Sequence, residues 1–350
     1  MKLTKYQNLI IIYILYGAIF GLFFPLLAYI VDLISHSYSF SARNIIKLHK
    51  ENSLHYIIDA APLVLAFVAY FLISTLVKKE IKLKEKIREQ RDKILDQQRD
   101  IIDDIQYSKL IQDAVLPSKE FMDKVMPPYF ILSMPKSIVS GDFYWVEEYK
   151  NSLIVACVDC TGHGISGSFM HMMGTIALNE IVSKGNFQTA SSILDQLRDN
   201  VIRSLKQTGE EGEVSNGMDI ALCIIDTHNY NLQYAGAYNP LFLIRNNELM
   251  IVQADRMPIG IHLKSTPPFV NHNIKIKKGD LIYLFTDGFI DQFGGPLGKK
   301  LRNKAFQQLL LDICNINVVK QKEALISFFN EWKNDHPQID DVMILGLEIT

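Results

Sequence analysis

A chain of 350 residues with 36 basic against 38 acidic side chains has room for two or three folded units, and it lacks the positive excess that nucleic-acid binding requires. Its four cysteines show no pairing pattern and fit a reducing compartment. No internal repeat or low-complexity tract divides it.

The N-terminus differs in kind from the rest. Leu9 to Ile34 is almost wholly apolar apart from Asp32, and Ala60 to Val77 carries no charge; each reaches the roughly 20 residues that cross a bilayer. The first run is too long for a signal peptide and shows no small-residue cleavage site. Buried core helices are the plainer reading of both, but their uninterrupted apolarity argues against it. Lys2 and Lys5 precede the first run, and Lys78, Lys79, Lys82, Lys84, Lys86 and Arg88 follow the second. The positive-inside rule then puts both ends in the cytoplasm, with Arg43, Lys47 and Lys50 in the connecting loop pulling the other way. The expectation is a multi-pass protein of the inner (cytoplasmic) membrane, anchored by two transmembrane helices within residues 1–77.

Residues 78–116 form the next unit. From Lys78 to Val115 there is neither Pro nor Gly, and the Lys, Glu, Gln, Arg, Asp and Ile content favours one long helix. Ile81, Ile87, Ile94, Ile101, Ile102, Ile105, Leu110 and Ile111 approximate a heptad stripe. That stripe fits a parallel coiled coil and so a homodimer through the linker helix; a solvated single helix fits equally. Pro117 and then Pro127-Pro128 end the segment.

Residues 117–350 read as a globular domain, compact from about Pro128. Strand patterns occur at Tyr129 to Ser133, Asp142 to Glu148, Leu153 to Asp159, Met218 to Asp226, Leu232 to Ala237, Leu241 to Arg245, Val270 to Lys277, Leu281 to Thr286 and Val342 to Ile349. Helical patterns fill Ile165 to Ser183, Ala190 to Lys206, Lys304 to Ile313 and Lys320 to Lys333. Strands in hairpin-like succession with helices inserted in pairs predict an α+β domain of two packed antiparallel sheets flanked by helices.

The most informative stretch is Leu153 to Met170. A buried strand delivers Asp159 to its end, Gly162 and Gly164 follow, and a helical pattern begins near Ile165. Gly162-His163-Gly164-Ile165-Ser166-Gly167 satisfies a dinucleotide fingerprint, but the strand-upon-strand order after Gly217 is not that of a Rossmann domain, and Asp159 would repel a pyrophosphate. Cys157 and Cys160 have the spacing of a zinc or redox pair; Cys223 and Cys314 stand alone, and strand alternation sends the two thiols different ways.

Acids at four places in the chain share one kind of setting. Asp142 precedes Phe143-Tyr144-Trp145, Asp159 ends its strand, Asp287 follows Phe285-Thr286, and Asp340-Asp341 precede the last strand. Each lies beside a strongly apolar segment, where a lone charge is costly unless paired or bound to metal. Acids also end ordinary strands because turns are wet, so any one of them alone would mean little.

The ordered blocks Pro135-Lys136-Ser137-Ile138-Val139-Ser140-Gly141-Asp142-Phe143-Tyr144-Trp145, Asp159-Cys160-Thr161-Gly162-His163-Gly164, Gly217-Met218-Asp219-Ile220-Ala221, Tyr234-Ala235-Gly236-Ala237-Tyr238-Asn239-Pro240, Pro258-Ile259-Gly260, Thr286-Asp287-Gly288 and Asp340-Asp341-Val342 resemble the SpoIIE/RsbU branch of the metal-dependent serine/threonine protein phosphatases. The resemblance implies an αββα sandwich with two divalent cations, Mn²⁺ or Mg²⁺, at one end of the sheets. By position it implies Asp142 and Asp159 as central ligands, the Cys160 backbone carbonyl beside them, and Asp287 and Asp340 completing the pair. Asp219 would serve a further metal or the shell around the first two. A water activated between the two cations would then hydrolyse phosphoserine or phosphothreonine, with His163 either protonating the leaving oxygen or merely occupying the loop. The implied substrate is a phosphorylated regulatory protein, a STAS-type anti-anti-sigma factor.

Activation in this branch implies a route through the preceding helix: motion or dimerisation of residues 78–115 would shift Ile165 to Ser183 and complete the metal site. The family often has an acid where Trp145 stands and Thr where Met343 stands, and its eukaryotic relatives bind phosphate with arginine, for which Lys136 is the candidate here. A membrane-bound scaffold that keeps the fold without the chemistry is the alternative.

Overall fold

In the computed structural model, which describes residues 2–210, 216–262 and 267–350, the chain divides into two compact units, residues 1–100 and 101–350. The first contains α1 (Lys2–Ser35), α2 (Ala42–Glu51), α3 (Leu54–Ile58) and most of α4 (Ala61–Val115). The loop expected between the two apolar runs is thus itself helical. Ser41 starts α2 by accepting a hydrogen bond from the Asn44 amide.

The backbones of α1 and α4 approach closely where α1 carries glycine: a Cβ on Gly21 would stand 2.4 Å from the Pro62 Cα, and one on Gly17 2.8 Å from the Leu65 carbonyl oxygen. Both helices are long and apolar enough to cross a membrane. Side chains such as Leu15, Ile19, Phe23, Leu63 and Phe67 are left uncovered by protein. No break separates the second apolar run from the polar helix after it, since α4 continues to Val115. Pro62 sits in the first turn of α4, where a helix tolerates it, and neither Pro nor Gly follows before Val115, so the change from apolar to charged alters only what the helix can face.

The second unit continues with α5 (Lys119–Val125), β1 (Tyr129–Met134), β2 (Phe143–Tyr149), β3 (Ser152–Cys160), α6 (Gly164–Lys184), α7 (Ala190–Leu205), β4 (Met218–Asp226), β5 (Asn231–Ala237) and β6 (Leu241–Arg245). It ends with β7 (Glu248–Val252), β8 (His272–Lys275), β9 (Leu281–Phe285), α8 (Gly288–Asp291), β10 (Phe293–Gly294), β11 (Lys299–Lys300), α9 (Arg302–Ile313), α10 (Val318–Lys333) and β12 (Val342–Glu348). One five-stranded sheet has the order β1-β12-β9-β6-β7 and the other β2-β3-β4-β5-β8, all pairs antiparallel.

Alternation along the strands builds three apolar layers. Val155 and Cys157 of β3, Ala221 and Cys223 of β4, Ile282 and Leu284 of β9, and Met343 and Leu345 of β12 fill the space between the sheets. The other face of the β2-to-β8 sheet is covered by Leu178, Ile181, Leu194 and Leu197 of α6 and α7. That of the second sheet is covered by Phe306, Leu310, Leu325 and Phe329 of α9 and α10. The result is the expected α+β sandwich in αββα order. Every expected strand and helix is present with ends displaced by no more than two residues, and α5, α8, β7 and the β10–β11 hairpin are additional. The β6–β7 hairpin turns at Asn246-Asn247, both at positive φ, a turn that asparagine tolerates better than most residues.

Candidate active site

Strand parity explains how acids distant in sequence reach one place. Asp159 lies two residues beyond Cys157 and Asp219 two before Ala221, so both point into the space between the sheets, and β3 and β4 set them directly opposite one another. Asp142 shares the parity of Tyr144 and Val146, and Asp287 leaves the end of β9. All four stand at the same end of the sandwich. Asp159, Cys160, Thr161, Gly162, His163, Asp219, Asp287 and Asp340 line one cleft of about 190 Å³. Asp142, only 5 % exposed, is not among the cleft-lining residues, and it interacts electrostatically with Asp287, Asp340 and Asp341.

The two cysteines separate as alternation requires. The Cys157 thiol lies between the sheets and the Cys160 thiol lies in the layer under α6 and α7. Cys160 therefore reaches the cleft through its backbone.

Glycines let the loops touch. Gly162 sits at φ +90°, where a side chain would be strained. A Cβ on Gly167, in the first turn of α6, would stand 2.4 Å from the Gly162 carbonyl oxygen and 2.8 Å from the Gly141 Cα. The segment before Asp142, the loop after Cys160 and the start of α6 thus rest backbone against backbone.

Asp340 and Asp341 have different duties. Asp340 lines the cleft. Asp341 is buried and accepts hydrogen bonds from the Lys136 amide (2.7 Å) and the Gly141 amide (2.8 Å), tying the start of β12 to the segment that delivers Asp142. Lys136 enters this network by its backbone amide. Thr286 accepts from the Met343 amide and fixes β9 to β12 next to Asp287. Trp145 is buried and donates to Asn179 of α6, so it serves the core rather than the cleft.

Desolvation pushes the carboxyls of Asp142 and Asp159 well above the usual carboxylate range, and mutual repulsion adds to it. Asp219 is raised to about 7, again by burial first and by Asp287 second. Asp287, whose side chain opens to solvent, is also raised, by desolvation and then by Asp291 and Asp340. Asp142 Oδ2 is buried with no hydrogen-bond partner. Like charges crowded around an orphaned oxygen are a donor set that a hard divalent cation would satisfy. Among the described residues no three His, Cys, Asp or Glu side chains stand in ready ligating geometry, so the acids share a cleft without forming a closed cage.

Two residues not anticipated from the sequence brace this end of the sandwich. Gln112, near the end of α4, is buried, donates to the Ser140 carbonyl (2.7 Å) and His171 Nδ1 (2.8 Å), and accepts from the Ser140 amide (3.1 Å). His171 of α6 stacks on Phe143 at 4.4 Å, and burial lowers its pKa to about 4, so it is neutral at ordinary pH. Gln112 lies in a polar helix with no pattern to mark it, and His171 in an apolar one. Replacing Gln112 with Leu leaves three buried polar groups without their partner; the expected loss is at least the ~1–3 kcal/mol of one such group, read by chemical denaturation of residues 101–350.

Comparison with known proteins follows the same lines. The sequence pattern of the family described as Stage II sporulation protein E (SpoIIE) matches residues 150–350. Phosphoserine phosphatase RsbU of Bacillus subtilis is 24% identical over 193 residues, 55% of this chain and 54% of that protein. Stage II sporulation protein E of the same organism is 26% identical over 160 residues, 45% of this chain and 18% of that protein. The chain thus spans about half the length of the first relative and under a fifth of the second. Among solved structures, the SiaA-PP2C domain of Pseudomonas aeruginosa superposes with a TM-score of 0.66 at 29% identity, over 72% of this chain and 98% of that one. The PP2C phosphatase domain of SpoIIE from Bacillus subtilis, with a fragment of its regulatory domain, gives 0.53 at 19% identity over 63% of this chain and 62% of that one, a likeness of fold.

Proposed function

The chain belongs to the SpoIIE family, and from that premise we propose that it is a protein serine/threonine phosphatase that removes phosphate from a phosphorylated regulatory protein of the STAS type. The observation that carries this reading is the convergence of Asp159, Asp219, Asp287 and Asp340 on one cleft, with Asp142 buried at the same end of the sandwich. Asp142, Asp159, Asp287, Asp340 and the Cys160 carbonyl would hold two ions, Mn²⁺ or Mg²⁺, and Asp219 a further one or the shell around them. When bound, such ions lower the pKa of water and neutralise charge on phosphoryl oxygens. His163 lines the cleft and is exposed, and in this reading it would protonate the departing serine oxygen. No nucleophilic side chain is needed, and the Cys157 and Cys160 thiols are unsuited to the task, being buried and pushed up by desolvation.

The same reading places α1 and the apolar start of α4 across the inner (cytoplasmic) membrane and the catalytic unit in the cytoplasm, with a homodimer formed through the polar part of α4. Bracing of α4 by Gln112 against Ser140 and His171 gives a route by which helix motion would reach Asp142 and α6. The direct test is release of phosphate from a phosphoserine-bearing STAS domain by the full-length chain. Turnover is expected with manganese or magnesium and none with chelator; a chain that binds the phosphoprotein without releasing phosphate would be a scaffold instead.

A second outcome concerns stability. Carboxyls whose pKa is raised in the folded state favour folding while protonated, so their contribution is complete below the ordinary value of 3.8 and is lost as pH rises through the raised values, about 7 for Asp219. A cation that binds only the ionised carboxylates reverses that loss. The gain in Tm on adding manganese should therefore be larger at about pH 8 than at about pH 5; equal gains in thermal unfolding would mean that the cation does not meet these acids.

A further inference from the structure

The first unit holds a polar cluster that the catalytic reading leaves unused. Three helices and a corner contribute: Tyr29 and Asp32 from α1, His49 from α2, His55 and Tyr56 from α3, and Asp59 between α3 and α4. His55 is 1 % exposed and its Nε2 stands 2.7 Å from Asp32 Oδ2, while its Nδ1 is buried without a partner. Tyr29 stacks on His55 at 4.9 Å and donates its hydroxyl to Asp59. His49 lies 5.4 Å from the His55 ring and edge-on to Tyr56.

The decisive geometry is at His49. Its Nδ1 faces the Ile45 carbonyl oxygen at 3.1 Å and its Nε2 faces Asp59 Oδ2 at 2.7 Å. The carbonyl and the carboxylate only accept; the Tyr29 hydroxyl, also 3.0 Å from Nε2, gives its one proton to Asp59. A neutral imidazole has one N–H to offer, so only the imidazolium satisfies both oxygens while Tyr29 keeps its bond to Asp59. We propose that the helical cap joining α1 to α4 is a proton-responsive latch, closed by doubly protonated His49 and released when His49 loses a proton.

The hydrogen bond to Asp59, followed by that to the Ile45 carbonyl, raises the His49 pKa above its ordinary 6.5. A raised histidine value means that closure is fully supported below pH 6.5 and is lost as pH rises through the folded-state value. The other groups around it are accounted for. Tyr29 and Asp59 meet His49 directly, and Asp32 is engaged by His55. On α2 itself Lys47 pairs with Glu51 and Tyr38, and His36 at the end of α1 turns to the Asp32 carbonyl. A metal site is the competing use of such side chains, but no three of them stand in ligating geometry among the described residues.

The test is hydrogen exchange of the full-length chain in lipid nanodiscs, followed across residues 42–59 as pH is raised and corrected for the intrinsic rate. Protection is expected to fall by up to about tenfold per pH unit between pH 6.5 and the folded-state value, as loss of one proton requires. The variant His49→Gln should show no pH step, and Asp59→Asn, which removes the anion while leaving the histidine, should move the step to lower pH. Protection independent of pH in the parent chain, or an unchanged step in His49→Gln, would overturn the proposal. Recovery of protection above the step on adding zinc alone would overturn it too, in favour of a metal site.

Discussion

Replacing Asp159 with Asn should cost at least about a hundredfold in manganese-dependent turnover, because residues that merely orient metal ligands already cost 10–100-fold and Asp159 lies in the cleft itself. The substitution keeps shape and removes charge. Asp159 faces Asp219 across β3 and β4 and interacts with Asp142 and Asp287, so the loss would be felt by every carboxyl of the cleft. Without cation, relief of that repulsion should leave the Asn variant at least as stable as the parent, since desolvation already disfavours the ionised form. Lower turnover with unchanged or higher Tm is the combined expectation, and Asp287→Asn should behave likewise with a smaller gain in Tm, its side chain being more exposed. Full turnover in both variants would remove the basis of the metal-dependent reading.

Asp341→Asn should act in the opposite sense on stability. The two Asp341 oxygens accept from the Lys136 and Gly141 amides, so an amide side chain must turn its NH₂ toward one of those N–H groups and leave it unpaired. A buried unpaired donor costs about 1–3 kcal/mol, and the lost bonds were charge-assisted. Asp341 also repels Asp142, so removing its charge offsets part of that cost. Measuring in saturating manganese, where the cation would take up the repulsion, isolates the hydrogen-bond term. Urea denaturation of residues 101–350 should then show a loss of about 2–3 kcal/mol. Turnover should fall with it, since Gly141 carries Asp142; no loss of stability would mean that the two amides find other partners.

Much of the fold was legible because strand periodicity and turn residues dominate residues 129–350, and the acids betray themselves by ending strongly apolar strands. Parity on β3 is enough to separate Cys157 from Cys160, and the two thiols do lie on opposite faces of the sheet. What could not be read was pairwise. Asp340 and Asp341 are adjacent and identical in type, yet one lines the cleft and the other anchors two amides of the β1–β2 connection, 200 and 205 residues away in sequence. Gln112 is one glutamine among many in a polar helix, and only its burial against Ser140 and His171 gives it weight. The His49–Asp59 and His55–Asp32 pairs were hidden for the same reason, since four short-range signals had to meet through three turns.

Cys160 presents its thiol to the helix-side core and only its main chain to the cleft. Its carbonyl oxygen survives any side-chain replacement. Alanine scanning will therefore register that position as a small change in core volume and stay silent about the ligand role proposed for its carbonyl; an amide-to-ester exchange at the Cys160–Thr161 bond weakens that carbonyl as a donor without touching either side chain, and it also removes the Thr161 N–H that donates to the Gly217 carbonyl.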